Sequence, residues 1–367
     1  MKNSVAIIGA GTAGLIAANR LRKLGVETTV YDQKPKPGFP VRASGILSIN
    51  GLETLGVDYK KAMTNALNGA KLHIGKETIE IRAKKPIAYV LERFELNQLL
   101  QQASEHAGAK VNVGTQVDGK FLDRLCEKNI IVGADGAIST VARHFKFPPI
   151  GKHILTFRAE YDYKVADSGM VELFFDKDVT PGFFGWISPN SRDVAEIGIG
   201  IDSAFGNSKA SFEKFKKIPA IKEIVENGKL MTDGASIIPV GMREHFVKDR
   251  EEVLLVGDAA GQVKPTTGGG IIFGGNGAVY AANAIHNHIE NGTALSAYER
   301  VWRKEFQKEV RLHSFFYDLY SSMDKEKLEQ IAKIIKLMKL ESFLGKYGDM
   351  DRPSLVIKRF FLRGFAK

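Results

Sequence analysis

SVAIIGAGTAGLIAANRLRKLGVETTVYDQ, residues 4–33, decides the fold. Val5 to Ile8 is a short apolar run of the kind that forms a fully buried strand, and Gly9, Gly11 and Gly14 follow it in G-x-G-x-x-G spacing. Leu15 to Leu24 reads as a helix closed by Gly25, and Val26 to Tyr31 as a second strand with Asp32 at its end. Each glycine has its own physical reason. Gly9 allows the tight turn, Gly11 lets a pyrophosphate approach the backbone, and Gly14 lets helix and strand pack closely. The phosphates meet free N–H groups at the positive end of the helix dipole, and Asp32 can accept hydrogen bonds from ribose hydroxyls. A lone G-x-G-x-x-G is weak, but here strand, helix, second strand and acid all stand in place. They predict a dinucleotide site.

Composition bounds what surrounds that unit. The 367 residues suffice for two domains or one large domain with insertions. At 44% hydrophobic and 26% charged the chain has an ordinary globular balance. One cysteine, Cys126, excludes a disulfide framework and a Cys metal cluster, and the eight histidines show no ligand spacing. Cys126 itself reads as a small buried residue. The net charge of +10 suits an anionic partner or simply a solvated basic surface. No nucleic-acid motif appears, so no nucleic-acid partner is expected. The uncharged run from 265 to 289 is long enough to cross a bilayer, but its proline, glycines and polar residues argue against that. The uncharged run from Asn3 to Asn19 belongs to the glycine turn and not to a signal peptide.

Two later stretches select the nucleotide. IIVGADGAISTVAR (130–143) and VLLVGDAAG (253–261) each place a glycine–acid turn after an apolar strand. An early glycine motif, a middle GADG and a late GD resemble the flavoprotein family that includes the aromatic hydroxylases. In that family the late Asp bonds the ribityl chain of FAD, and Asp258 matches it. After Asp258, Gly268, Gly269 and Gly270 open a helix of small residues (Gly274, Gly277, Ala278, Ala281, Ala282, Ala284) suited to lying against a flat ring, with its positive end toward the edge of the flavin that gains charge on reduction.

The resemblance narrows to the geranylgeranyl reductases of archaeal type and covers nearly the whole chain. GFPVRASGILS (38–48) resembles their PVRC loop, YVLERFELNQLL (89–100) their YVLER segment, and KPTTGGGI (264–271) their TGGGI turn. The most specific likeness is FGWISPNSRDVAEIGIG (184–200), which resembles a Tyr/Phe-x-Trp-x-Phe-Pro motif followed by Gly-x-Gly. The resemblance implies cofactor contacts at Gly9, Gly11, Ala13, Gly14, Asp32, Arg42, Ala43, Ser44, Arg93, Val117, Asp135, Gly257, Asp258, Gly268, Gly269, Gly270 and Ile271. It implies substrate contacts at Phe175, Phe184, Trp186, Pro189, Gly198 and Gly200. Two departures stand out: Ala43 replaces the family Cys, and Ser188 replaces the motif Phe, removing one ring from the presumed tunnel. A polyprenyl chain has almost no polar handles, so its recognition rests on apolar area and shape.

The implied function is an FAD-dependent reductase that saturates geranylgeranyl chains of membrane lipids or their precursors. Hydride passes from reduced flavin, and the proton donor is not visible in the sequence. No second nucleotide fingerprint appears, so the electron donor is external, a ferredoxin-like protein or NAD(P)H. Two alternatives stay open: a flavin monooxygenase of a smaller aromatic or apolar substrate, and a non-redox flavin-dependent cyclase or isomerase.

The expected fold class is α/β: a Rossmann-type FAD-binding domain, an inserted antiparallel-sheet substrate domain, and a C-terminal helical segment. Residues 1–60, 86–145 and 250–295 are assigned to the flavin domain, 61–85 and 146–249 to the sheet domain, and 296–367 to the helical region. Between Arg143 and Val253 the chain reads as strands, with Phe174, Phe175, Phe183, Phe184 and Trp186 clustered beside them. In residues 324–345, Leu328, Ile331, Ile334, Ile335 and Met338 suggest one packed helical face. In residues 353–367, Arg359, Arg363 and Lys367 form one stripe and Ile357, Phe360, Phe361 and Phe365 another, so the tail can lie on an anionic membrane surface. A cytoplasmic monomer, peripheral at the membrane, is expected.

Overall fold

The computed structural model describes residues 2–41 and 43–364, with the backbone alone at 363 and 364. A six-stranded sheet carries the opening motif. Its order is Val247–Lys248, Val253–Leu255, Asn129–Gly133, Ser4–Ile8, Glu27–Tyr31, Lys110–Asn112. Every neighbouring pair is parallel except the edge pair Val247–Lys248 with Val253–Leu255. Ser4–Ile8 lies inside this sheet, so its apolar run is buried on both faces, as parallel sheets demand. The GADG and GD turns leave the strands beside it on one flank. All three glycine turns therefore meet at the carboxyl ends of adjacent strands, where ligands bind in such sheets.

Helix Thr12–Lys23 follows the first turn and packs along helix Ile271–Asn291. Close approach of the GD turn explains the glycines of the second helix. A Cβ at Gly274 would stand 2.7 Å from Gly257 Cα, and one at Gly277 would stand 2.2 Å from Gln262 Oε1. Gly274 and Gly277 are therefore required by packing on protein. Among the described residues no helix is long and apolar enough to cross a membrane.

The second sheet has seven strands, in the order Lys229–Val240, Lys152–Asp162, Val194–Asp202, Gly185–Pro189, Met170–Phe175, Gly69–Ile74, Glu77–Arg82. It is antiparallel, as expected, except for one pair, where Met170–Phe175 runs parallel to Gly69–Ile74. Met63–Leu67 pairs instead with Ala88–Leu91 in a small third sheet that includes Ile46–Ser48.

Strand Val194–Asp202 shows how the second sheet is organised. Ala195, Ile197, Ile199 and Ile201 pack with Phe157, Phe212, Phe215, Ile221 and Ile224. Glu196, Gly198 and Gly200 alternate with them and so face the other way. The helices Ser208–Phe215 and Pro219–Asn227 break the expected run of strands. Their apolar residues recur at i, i+3 and cover one face of the sheet.

Helices Ala297–Ser322, Lys325–Leu337, Leu340–Tyr347 and Pro353–Gly364 complete the chain. In the second of them only Leu328 and Ala332 are buried, against Ile74 and Ile79, with Ile335 packed partly beside them. Ile334 is 51% exposed and Met338 57% exposed. At 3.6 residues per turn, a residue six beyond Leu328 lies roughly a third of a turn away from it, so the single packed face expected for all five splits.

Candidate active site

The first turn is fixed by contact. Gly9 has φ +106°, and a Cβ there would stand 2.3 Å from the Ala134 carbonyl oxygen of the GADG loop. A Cβ at Gly14 would stand 2.0 Å from Gly9 O, while nothing lies within 4 Å of one at Gly11. Backbone is thus exposed where helix Thr12–Lys23 begins, and no side chain caps its first N–H groups. Asp32 Oδ2 accepts from Ala10 N at 2.7 Å and Oδ1 from Lys34 N at 2.8 Å. Each carboxylate oxygen keeps a further lone pair for a ligand. Asp135 is occupied differently. It accepts from Ser139 Oγ at 2.6 Å, Thr140 N at 2.7 Å and Val141 N at 3.1 Å, so it caps helix Thr140–His144 and shapes the loop that presses on Gly9. Burial nonetheless raises its pKa against these bonds. Val117 lies partly buried against the apolar core of the same domain.

A second cluster faces the third turn. Arg93 opens helix Arg93–His106, and its Nη2 donates to Thr12 Oγ1 at 3.2 Å, which donates to Asn97 Oδ1 at 3.0 Å. Arg93 Nε is buried with no partner among the described residues. Burial pulls the guanidinium down to about 10 against the nearby carboxylates of Asp258 and Glu92. Burial likewise raises the Asp258 carboxyl, with Arg93 opposing. Ala13 Cβ stands 3.0 Å from where a Cβ on Gly257 would lie, and Asp258 Oδ1 stands 2.8 Å from where one on Gly270 would lie. The Gly268–Gly270 loop thus lies directly on Asp258, and Ile271, partly buried, opens the next helix. Beneath Gly269 lies Lys264, whose Nζ pairs with Asp351 in a buried salt bridge at 2.5 Å, and Asp351 also accepts from Ser48.

These residues fit a flavin nucleotide. The bare helix start over Gly11 accepts phosphates. Asp32 keeps acceptor capacity, and Arg93 keeps an unpaired Nε–H. Ala43 and Ser44 lie in the loop between the two sheets, with Ser44 donating to Glu196. Arg42 lies outside the described residues, as do Phe365, Lys367 and the side chain of Arg363.

Five of the six expected substrate contacts gather on and around the sheet face opposite the helices; Pro189, in step with Ile187 and opposite Ala195, falls on the helix-covered face. Trp186 pairs with Gly198 across the strands, and a Cβ on that glycine would stand 2.2 Å from the indole. Gly200 is filled in the same way by Phe183, at 2.3 Å. Phe175 and Phe184 lie 5.7 Å apart, and Tyr317 and Tyr320 of helix Ala297–Ser322 pack against them. Pro189 ends its strand and is buried. Phe174 points the other way, onto Phe215. The aromatic wall is therefore closed by a helix. None of the six lines the cavity of about 710 Å³ that opens beside Arg93. That cavity runs between the 35–45 loop and the sheet, lined by Phe39, Pro40, Val41, Val90, Leu91 and Phe94 on one side and by Glu160, Asn190 and Glu196 on the other.

The sequence reading missed the polar residues of that second side. Glu196 is buried; its Oε1 accepts from Trp186 Nε1 at 2.8 Å and its Oε2 from Arg158 Nη1 at 2.8 Å. Arg158 Nη1 also meets Glu160 at 2.9 Å, and Nη2 donates to Val41 O at 3.2 Å. Burial opposes the Arg158 charge, but the two carboxylates outweigh it and raise its pKa. The signal was present: Arg158, Glu160 and Glu196 occupy the same strand alternation as Gly198, on a face assumed to be apolar.

Comparison with known proteins agrees with this fold. A family described as FAD binding domain matches residues 2–310. An uncharacterised protein of Methanocaldococcus jannaschii is 28% identical, over 96% of this chain and 94% of that one. Digeranylgeranylglycerophospholipid reductase 1 of Methanothermobacter thermautotrophicus is 27% identical, over 92% and 91%. Among solved structures, a geranylgeranyl bacteriochlorophyll reductase-like protein of Thermoplasma acidophilum superposes with TM-score 0.80 at 20% identity, covering 97% of this chain and 98% of its own. A flavin-dependent brominase shares the fold at TM-score 0.69 and 14% identity.

Proposed function

Because the chain belongs to the FAD binding domain family, we propose that it is an FAD-dependent reductase saturating the double bonds of geranylgeranyl chains in membrane lipids or their precursors. The observation that carries this reading is the cavity beside Arg93. It has the volume of a small-molecule site and a continuous apolar wall from Phe39 to Val41 and along Val90 and Leu91. Relatives named as digeranylgeranylglycerophospholipid reductases, matching over nine-tenths of both chains, support it.

Bound FAD supplies the hydride chemistry. The protein contributes placement. The open backbone over Gly11 and Asp32 hold the nucleotide end, and Arg93, Asp258 and the Gly268–Gly270 loop hold the flavin end. The apolar wall aligns an alkene and keeps water from it. Trp186, tied to Glu196, fixes the sheet side of the reaction space. Electrons come from an external donor, a ferredoxin-like protein or a nicotinamide. The enzyme meets its substrate at an anionic membrane surface, to which the net charge of +10 and the exposed Phe360 and Phe361 fit it.

The test is anaerobic. Photoreduced enzyme is mixed with a geranylgeranyl lipid while flavin reoxidation and product mass are followed. Reoxidation with a gain of two mass units per double bond is the expected result. Turnover only with oxygen, giving a product heavier by one oxygen atom, identifies a monooxygenase, and an isomeric product without reoxidation identifies a cyclase or isomerase.

A further inference from the structure

We propose that Lys264 sets the reduction potential of bound FAD: its buried ammonium, beneath the Gly268–Gly270 loop, favours the reduced, negatively charged cofactor, and Asp351 limits how far. That the flavin end lies at this loop rests on the reading above; the geranylgeranyl substrate is not needed.

The loop is wound around Lys264. Lys264 N donates to Gly269 O at 3.1 Å, and Lys264 O accepts from Gly268 N at 2.9 Å. The side chain turns back under the same turn, where a Cβ on Gly269 would stand 2.8 Å from Lys264 Cε and 3.3 Å from Nζ. The ammonium thus lies directly against the backbone of Gly269. The next residue, Gly270, meets Asp258 Oδ1, which would stand 2.8 Å from a Cβ there. One short loop therefore carries a buried cation under one residue and touches, at the next, the carboxylate assigned above to the cofactor. Helix Ile271–Asn291 starts at the same place with no side-chain cap on its N–H groups, and its positive end adds to the same sign.

Burial makes this charge matter. The Lys264 and Asp351 side chains are only 5% and 8% exposed, so salt screens them little. Lys264 Nζ donates to Asp351 Oδ1 at 2.5 Å and to Met350 O at 3.3 Å, and Asp351 Oδ2 accepts from Ser48 Oγ. Burial pushes the Asp351 carboxyl up, but the charge of Lys264 and the bonds from Lys264 and Ser48 outweigh it and hold the carboxyl below its ordinary value. It stays ionised opposite the ammonium. His313, which meets Thr266, is kept neutral by burial and by Lys264. The pair is oriented: the ammonium end touches Gly269, while Asp351 Oδ2 lies against Gly51, 2.8 Å from where a Cβ there would stand. Holding the C-terminal segment on this loop does not require ions, because a buried ion pair is often no more stabilising than apolar residues of the same volume. What the ions add is a field. Reduction of FAD by two electrons with uptake of one proton leaves one additional negative charge on the cofactor, and a fixed cation nearby stabilises that state over the oxidised one.

Dye-coupled reductive titration of the FAD-loaded protein gives the midpoint potential, and with it the ratio of affinities for reduced and oxidised FAD. Lys264→Met should lower that ratio about tenfold, a fall of about 30 mV for a two-electron couple. Lys264→Arg should keep it near the wild-type value, and Asp351→Asn should raise it. A purely structural tie costs stability in both charge-removing variants but gives no opposite shifts of potential. Where a single variant fails to fold, Lys264→Met/Asp351→Asn, which leaves neither charge unpaired, decides: a lowered ratio upholds the proposal and a wild-type ratio overturns it. An unchanged potential in Lys264→Met, or shifts of one sign in Lys264→Met and Asp351→Asn, overturns it as well and leaves the reductase reading standing. Opposite shifts without anaerobic turnover of a geranylgeranyl lipid keep the proposal and remove the substrate reading.

Discussion

Trp186 and Gly198 share one space: the indole occupies the place where any side chain on the glycine would go. The same indole donates to the buried Glu196 two residues earlier on that strand, so ring, glycine and carboxylate hold one another in place. Gly198→Ala should therefore push the ring off its seat. Overpacking of this kind costs about 1–3 kcal/mol. Urea unfolding should show that loss together with a shift in tryptophan emission. An unchanged spectrum with unchanged stability would mean that the strand moves freely to accommodate the methyl group.

The contact between Gly270 and Asp258 makes a different prediction. Asp258→Ala should weaken FAD binding by about 1.5–3 kcal/mol, the scale of a hydrogen bond to a charged group. Gly270→Ala should weaken it too, because the new Cβ would crowd Asp258 Oδ1. Equilibrium dialysis against FAD measures both. Full affinity in Asp258→Ala would remove this residue from the cofactor site.

His313 gives the pH dependence. It is buried, with Nδ1 against Thr266 Oγ1 at 2.7 Å, and burial followed by the nearby Lys264 lowers its pKa to about 4. Its unfolded value is about 6.5. Between these values the unfolded chain binds the proton and the folded chain does not, so stability falls as pH drops from 6.5 toward 4 and this contribution then levels off. The full span of 2.5 units corresponds to roughly 3 kcal/mol. Denaturation of His313→Gln should lose much of this slope across that window, whereas parallel curves for the two proteins would assign the slope to other groups.

The tail prediction concerns surfaces. Phe360 is 43% and Phe361 60% exposed, at the end of a helix whose Arg359 leans on Tyr347. Burying one such ring is worth about 1.5–3 kcal/mol. Replacing both with serine should lower binding to anionic vesicles by at least roughly tenfold in a sedimentation assay. Unchanged sedimentation that also ignores salt would place the docking surface elsewhere or nowhere.

What could be read from sequence followed from local physics. Gly9 and Gly14 announce their roles because a turn and a helix contact each forbid a side chain. The alternation of Ala195, Ile197 and Ile199 with Gly198 and Gly200 is equally local. The polar cluster was not legible in the same way. Arg158 and Glu196 are 38 residues apart, and only the antiparallel register makes them partners. The packing partners of the small residues after Gly270 were hidden for a related reason: Gly257 and Gln262 reach them from the turn after strand Val253–Leu255, and only the tertiary fold sets that approach. The split face of helix Lys325–Leu337 likewise depends on where Ile74 and Ile79 end in the sheet.

The salt bridge between Lys264 and Asp351 has a consequence for how the protein is made. Chains are synthesised from the N-terminus, and segments pair as they emerge. The first glycine turn appears early, but Lys264, under the Gly268–Gly270 loop, has no counter-ion until residue 351 is out of the ribosome. A buried ammonium without its partner is costly, so the loop has reason to stay loose throughout translation. Capture of the cofactor is thus expected to be a late event, gated by the arrival of residue 351, and a nascent protein stalled before that point should release flavin readily even with its opening motif fully folded.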